Sequence, residues 1–168
     1  MAGPPLVIHI IGLKNTGKSG LMEALIQELN KRGIKTGAVK HDASGHFHWD
    51  KAGSDTHRIT AAGSPVTAIL SDREFALHAP AGLDISIPEI VDAFFRGFEL
   101  LLVEGFKKLE GRKVEVLREG FSTGPLCPDN ELVATFGDRP FERDAPHFDH
   151  DSVQDLAELL SQLLTQQA

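Results

Sequence analysis

One segment constrains this chain more than any other: Gly12-Leu13-Lys14-Asn15-Thr16-Gly17-Lys18-Ser19, set between an apolar run and a helical one. The run Leu6-Val7-Ile8-His9-Ile10-Ile11 is rich in β-branched residues and ends at a glycine, which predicts a buried parallel strand. From Lys18 to Arg32, Leu21, Leu25, Ile26 and Leu29 recur at helical spacing, and Gly33 supplies the stop. Strand, glycine-rich turn and helix in that order fit Gly-x-x-x-x-Gly-Lys-Ser, the phosphate-binding loop. Gly12 and Gly17 lack a Cβ, so the main-chain N–H groups of Lys14, Asn15, Thr16 and onward to Gly20 can close on a polyphosphate. The helix adds unpaired N–H groups and its positive dipole end. Lys18 places a point charge on the outer phosphates, and the Ser19 hydroxyl suits a Mg²⁺ ion.

The rest of the chain alternates in the same way. Thr36 to Val39 predicts a second strand, and Ala43 to Ser54 a polar, His-rich loop. Ser54 to Ala62 predicts a helix capped by Ser54 and closed by Gly63. Pro65 to Leu70 is a further strand, with Glu74 to His78 pairing to it after Ser71-Asp72. Ser86 opens a helix through Phe95, and Leu100-Leu101-Leu102-Val103 is a central strand. Val114 to Leu117 and Leu132 to Phe136 are strands, Gly120 to Asn130 is a loop, and Ser152 to Gln166 is an amphipathic helix. The expected architecture is α/β: one domain over residues 1–168, its mostly parallel twisted sheet carrying helices on both faces, in the P-loop NTPase fold.

A phosphate loop needs a carboxylate from a neighbouring strand to order the metal. Glu104, closing Leu100-Leu101-Leu102-Val103, stands where that acid belongs. Asp42, after the second strand in Lys40-His41-Asp42, is a second candidate, for the metal's outer shell or for orienting the attacking water. Catalytic candidates are thus Lys18, Asp42 and Glu104, and metal candidates Ser19, Glu104 and Asp42. Asp50-Lys51-Ala52-Gly53 fits the acid motif D-x-x-G literally, but no apolar strand precedes it. Asp138, in Thr135-Phe136-Gly137-Asp138 after a late strand, is a candidate for a purine edge from its position alone. No Asn-Lys-x-Asp string is present, so local sequence does not disclose the base.

His41, His46, His48 and His57 gather around Trp49 without a cysteine pair or a metal-site spacing, which favours a loop offered to a partner or anion. Lys107, Lys108, Arg112 and Lys113 form a short basic run, read as a solvated turn or as a patch for an acidic ligand. The formal net charge of −7 argues against a nucleic-acid partner. Cys127 stands alone, so no internal disulfide forms and a reducing cytoplasm is the expected compartment. Leu6 to Ile11 is too short to span a bilayer, so no membrane association is expected.

With Gly12 to Ser19, Lys40-His41-Asp42, Asp50-x-x-Gly53-x-Asp55, Ala61-Ala62-Gly63 and Val103-Glu104-Gly105-Phe106-Lys107 in hand, the chain resembles the MobB family. These are accessory proteins of molybdopterin-guanine dinucleotide biosynthesis. The resemblance runs over about the first 110 residues and more loosely to the end. It implies a homodimer that binds GTP and hydrolyses it weakly beside the nucleotidyltransferase that joins GMP to molybdopterin, with molybdopterin itself a further candidate ligand. It carries phosphate and Mg²⁺ binding to Gly12, Gly17, Lys18 and Ser19, the strand-end acid to Glu104 and the second-strand acid to Asp42. No arginine stands out as a transition-state finger, so turnover is expected to be slow, on the order of 10⁻⁴ to 10⁻² s⁻¹. Two rivals stay open: a small-molecule kinase or ligase using ATP, for which the short segment Asp138 to Arg143 is the only candidate for an arginine-bearing lid, and a nucleotide-gated adapter without significant catalysis.

Overall fold

The computed structural model describes residues 3–42, 50–79, 86–139 and 141–166. The elements run β1 (Leu6–Ile11), α1 (Lys18–Lys31), β2 (Thr36–Lys40), α2 (Asp55–Ala61), β3 (Thr67–Leu70), β4 (Phe75–His78), α3 (Ile87–Phe94), β5 (Leu100–Glu104), β6 (Lys113–Leu117), β7 (Leu132–Gly137), β8 (His147–Phe148) and α4 (Val153–Thr165). Internal contacts divide the chain into two units, residues 1–43 with 91–168, and residues 44–90.

The first unit is built on a six-stranded sheet of order β2-β5-β1-β6-β7-β8. Every pairing in it is parallel. β5 is buried along its whole length and β1 along all but one residue, which is why both read as near-continuous apolar runs rather than alternating ones, interrupted in β1 by His9 and closed in β5 by Glu104. Leu6, Ile8, Ile10, Leu100, Leu102, Val114 and Val116 form one core with Leu21, Leu25 and Leu29 of α1 and Leu156, Ala157 and Leu160 of α4. α1 stops where Gly33 N–H donates to the Asn30 carbonyl and Ile34 N–H to that of Leu29, the paired closure of a Schellman turn. Across the sheet, the Phe95 ring after α3 lies so close over Gly37 that a Cβ there would come within 2.5 Å of it.

The step from β6 to β7 departs from the alternating pattern. These parallel neighbours are joined without an α-helix, by a loop that ends in a single 3-10 turn over Asp129–Glu131. Buried charges hold that loop. Glu115 is fully buried, accepts from Leu126 N–H at 2.9 Å, and is ion-paired with Arg143. Arg143 also donates to the Cys127 carbonyl at 2.7 Å and to Asp129 at 3.0 Å. Burial pushes the Glu115 carboxyl above its ordinary range, and the Arg143 charge pulls it back. Lys113 is likewise buried, ion-paired with Glu131 and donating to the Leu109 carbonyl at 2.6 Å. This corrects both readings of the basic run as far as Lys113 is concerned: it lies inside a strand, neither in a solvated turn nor in a ligand patch. β8, two residues long, goes beyond the strands expected from sequence.

In the second unit, Ser54 accepts from His57 N–H at 3.1 Å and caps α2 as expected. Asp50 receives the hydroxyls of Ser54, at 2.5 Å, and Thr56, so the D-x-x-G look-alike braces a helix start. β3 and β4 pair antiparallel, Leu70 opposite Phe75 and Ala68 opposite Leu77. Thr67 meets Thr60 of α2 through their hydroxyls at 2.8 Å.

Removing one partner of a buried ion pair strands the other's charge, at a cost of about 3–5 kcal/mol. Arg143→Met is therefore expected to lower the urea midpoint by that much stability, and adding Glu115→Gln to recover part of it. A loss in the single variant of less than about 1 kcal/mol would show that water reaches Glu115 and the pair does not hold the loop.

Candidate functional site

The loop between β1 and α1 is shaped by two glycines. A Cβ on Gly12 would stand 2.6 Å from the Thr16 hydroxyl and 2.8 Å from the Val116 carbonyl oxygen, so the backbone there passes where only glycine fits. Gly17 holds φ at 98° as it hands the chain to α1. Thr16 is buried and donates to the Leu13 carbonyl at 2.9 Å, closing the loop on itself. α1 then starts with no side-chain cap and no acidic residue in its first turn. Its first N–H groups lack the usual side-chain acceptor, which is the arrangement that attracts an anion.

Lys18 folds back over the loop, its ammonium 2.7 Å from the Leu13 carbonyl. Burial lowers its pKa, with Lys40 acting in the same direction and the Glu104 charge opposing. Ser19 donates to Glu104 Oε2 at 2.9 Å. Glu104 is placed by sheet register, since β5 lies between β1 and β2 with Glu104 opposite Ile10 on one side and Lys40 on the other. The open pocket here, about 470 Å³, is lined by Lys14, Asn15, Gly17, Lys18, Ser19, Gly20, Glu104 and Arg118.

Two oxygens 2.9 Å apart match adjacent ligands on an octahedral ion with bonds of about 2.0–2.1 Å, and a hydroxyl beside a carboxylate is the hard donor set that Mg²⁺ takes. Among the described residues no group of three or more His, Cys, Asp and Glu side chains is placed to hold a metal. A Mg²⁺ held by this oxygen pair would need its remaining ligands from a bound molecule and water.

Asp42 lies on the same carboxyl edge, two residues past β2 and exposed. The backbone leading to it is fixed: His41 N–H donates to the Glu104 carbonyl at 3.0 Å, and the His41 ring stacks on Phe106 with centroids 4.2 Å apart. Asp138 follows β7, with one oxygen accepting from Glu119 N–H at 2.8 Å and the other 3.2 Å from His150. Those bonds hold its carboxyl below the ordinary range. It does not line the phosphate pocket. His46, His48 and Trp49 lie outside the described residues.

Arg118 is the pocket residue the sequence did not disclose. It follows β6, donates to the Asn15 carbonyl at 3.0 Å and rides over the Phe121 ring at 5.0 Å. Nothing local marks it; it comes to the loop because β6 lies next to β1. The arginine lid of the kinase reading loses its end, because Arg143 is 4% exposed and tied to Glu115.

A parallel sheet of this order, a glycine-shaped loop opening a helix and an acid ending the adjacent strand define a P-loop NTPase-like α/β protein. Residues 7–138 match the family model described as molybdopterin guanine dinucleotide synthesis protein B, MobB, and the chain belongs to that family. It is 29% identical to the molybdopterin-guanine dinucleotide biosynthesis adapter protein of Escherichia coli, over 99% of each chain. It is 30% identical to the Haemophilus influenzae protein of the same name, over 94% of this chain and 89% of that one. The fold matches the crystal structure of Bacillus subtilis MobB with a TM-score of 0.73 at 24% identity, over 95% of this chain and 98% of the other. No helix among the described residues is long and apolar enough to cross a membrane.

Gly12→Ala would press a methyl onto the Val116 carbonyl and force the loop outward. Nucleotide-analogue binding is expected to weaken by about tenfold or more, close to 1.4 kcal/mol, with the far-UV spectrum unchanged. Binding at wild-type strength would mean that the loop does not grip the ligand.

Proposed function

We propose that this protein is a Mg²⁺-dependent GTP-binding adapter of molybdopterin-guanine dinucleotide biosynthesis. It works as a homodimer beside the nucleotidyltransferase that joins GMP to molybdopterin, and hydrolyses GTP slowly in the cytoplasm. One observation carries the nucleotide part: the uncapped α1 start, Lys18 and the Ser19–Glu104 oxygen pair meet in one pocket. The adapter role and the guanine base rest on the family and on relatives named as biosynthesis adapters.

In this reading the loop amides and Lys18 bind the β- and γ-phosphates, while Ser19 and Glu104 hold Mg²⁺, which neutralises charge on the phosphates when bound. Asp42 orients the attacking water, and Asp138 faces the purine by turning one oxygen from His150. The dimer is supported by the β3–β4 hairpin, whose Ala68, Leu70, Phe75 and Leu77 share one exposed apolar face; Leu70 is 78% exposed. A two-stranded sheet is marginal alone, and covering this face with the same face of a second copy removes the exposure.

Equilibrium binding of fluorescent GTP and ATP analogues with Mg²⁺, to wild type and Lys18→Ala, tests the ligand. GTP preference lost in the variant is expected; preference for ATP would discard the adapter role and bring back the kinase. Leu70→Asp is expected to convert the dimer to a monomer in sedimentation equilibrium with its helix content kept. A dimer that survives the substitution places the contact elsewhere.

A further inference from the structure

The end of β2 carries a cation that the proposed chemistry has not used. Lys40 is the last residue of β2 and stands opposite Glu104 in the parallel register, so both side chains leave the same face of the sheet. Its ammonium is 3.1 Å from Ser19 Oγ and 3.3 Å from Glu104 Oε2, and these two oxygens are 2.9 Å from each other. One ammonium thus touches both oxygens of the pair that suits Mg²⁺. Lys18 is not its equivalent, because the Lys18 ammonium is turned to the Leu13 carbonyl on the loop. Glu104 is largely buried, with 11% of its side chain exposed, and a carboxylate so placed needs a counter-charge. The Lys40 side chain is 62% exposed, so it reaches the pair from solvent and can leave it without disturbing the core.

We propose that Lys40 is an exchangeable counter-cation of the metal site. This rests on the Mg²⁺-nucleotide reading above. In the free protein its ammonium neutralises Glu104 and keeps the Ser19–Glu104 pair together. With nucleotide bound and no metal, the same ammonium stays at the pair and offsets part of the phosphate charge. When Mg²⁺ takes the two oxygens, Lys40 swings out, because an ammonium and a divalent ion cannot share them. Lys40 and Mg²⁺ are therefore competitors for one position. Losing Lys40 weakens metal-free nucleotide binding relative to Mg²⁺-supported binding, and by linkage it strengthens Mg²⁺ binding to the nucleotide complex by the same factor.

The experiment is titration of a fluorescent GTP analogue into wild type, Lys40→Met and Lys40→Arg, each in EDTA and in saturating Mg²⁺. A Mg²⁺ titration at fixed nucleotide completes the cycle. For Lys40→Met, the ratio of the Kd in EDTA to the Kd in Mg²⁺ is expected to rise about fivefold, the upper range for a partly exposed pair. The half-saturating Mg²⁺ concentration is expected to fall by the same factor, and Lys40→Arg, which keeps the charge, to stay near wild type. Mg²⁺-dependent binding with the same ratio in Lys40→Met as in wild type overturns the role of Lys40 and leaves the nucleotide reading standing. Absence of Mg²⁺-dependent binding in the wild type overturns that reading and this inference with it. A far-UV spectrum of Lys40→Met that matches the wild type, with unfolding still cooperative, separates the effect from a loss of fold.

Discussion

The site depends on the position of β5. Clamped by parallel hydrogen bonds between β1 and β2, its last residue faces Ile10 on one side and Lys40 on the other. That register brings Glu104 under the first turn of α1, within reach of Ser19. A slip of one residue would send the Glu104 side chain to the opposite face of the sheet and leave the loop without its acid. The apolar run Leu100 to Val103 therefore does more than fill a core: burial on both faces fixes the height at which the carboxylate emerges.

Beyond β6 a different kind of restraint takes over. A parallel crossover normally covers the sheet with a helix, whose apolar stripe supplies the packing. Between β6 and β7 that stripe is missing, and Glu115–Arg143 and Lys113–Glu131 take its place. Buried charges contribute little net stability but are exacting about direction, since each must meet its partner to offset its own desolvation. They suit a loop that must hold one shape, and this loop begins with Arg118, which lies against the phosphate loop.

The elements most legible in the sequence were those with a single dominant physical cause. β1 and β5 announced themselves as apolar runs, α1 and α4 by their helical stripes, and the phosphate loop by two glycines, a lysine and a hydroxyl at fixed offsets. The acid Glu104 was legible because a strand end must carry it. Arg118 and the contact of Lys40 with Glu104 were not, because both depend on which strands are neighbours, and sheet order is not a local property. Lys113 was misread for a related reason: a lysine among Lys107, Lys108 and Arg112 looks solvated until a partner eighteen residues on, Glu131, is folded against it. β8, with two residues, is shorter than any period that could reveal it.

The central place of β1 also shapes how the chain reaches its fold. Its hydrogen-bonded neighbours are β5 and β6, so the strand formed by residues 6–11 has no partner until residues near 100 have joined it. The loop closures involved are long, and such non-local pairings slow folding. During synthesis, an apolar strand and the glycine-rich turn behind it wait unpaired while more than half of the chain emerges. A strand at the centre of the finished sheet is thus also the one most exposed to misassociation on the way to it.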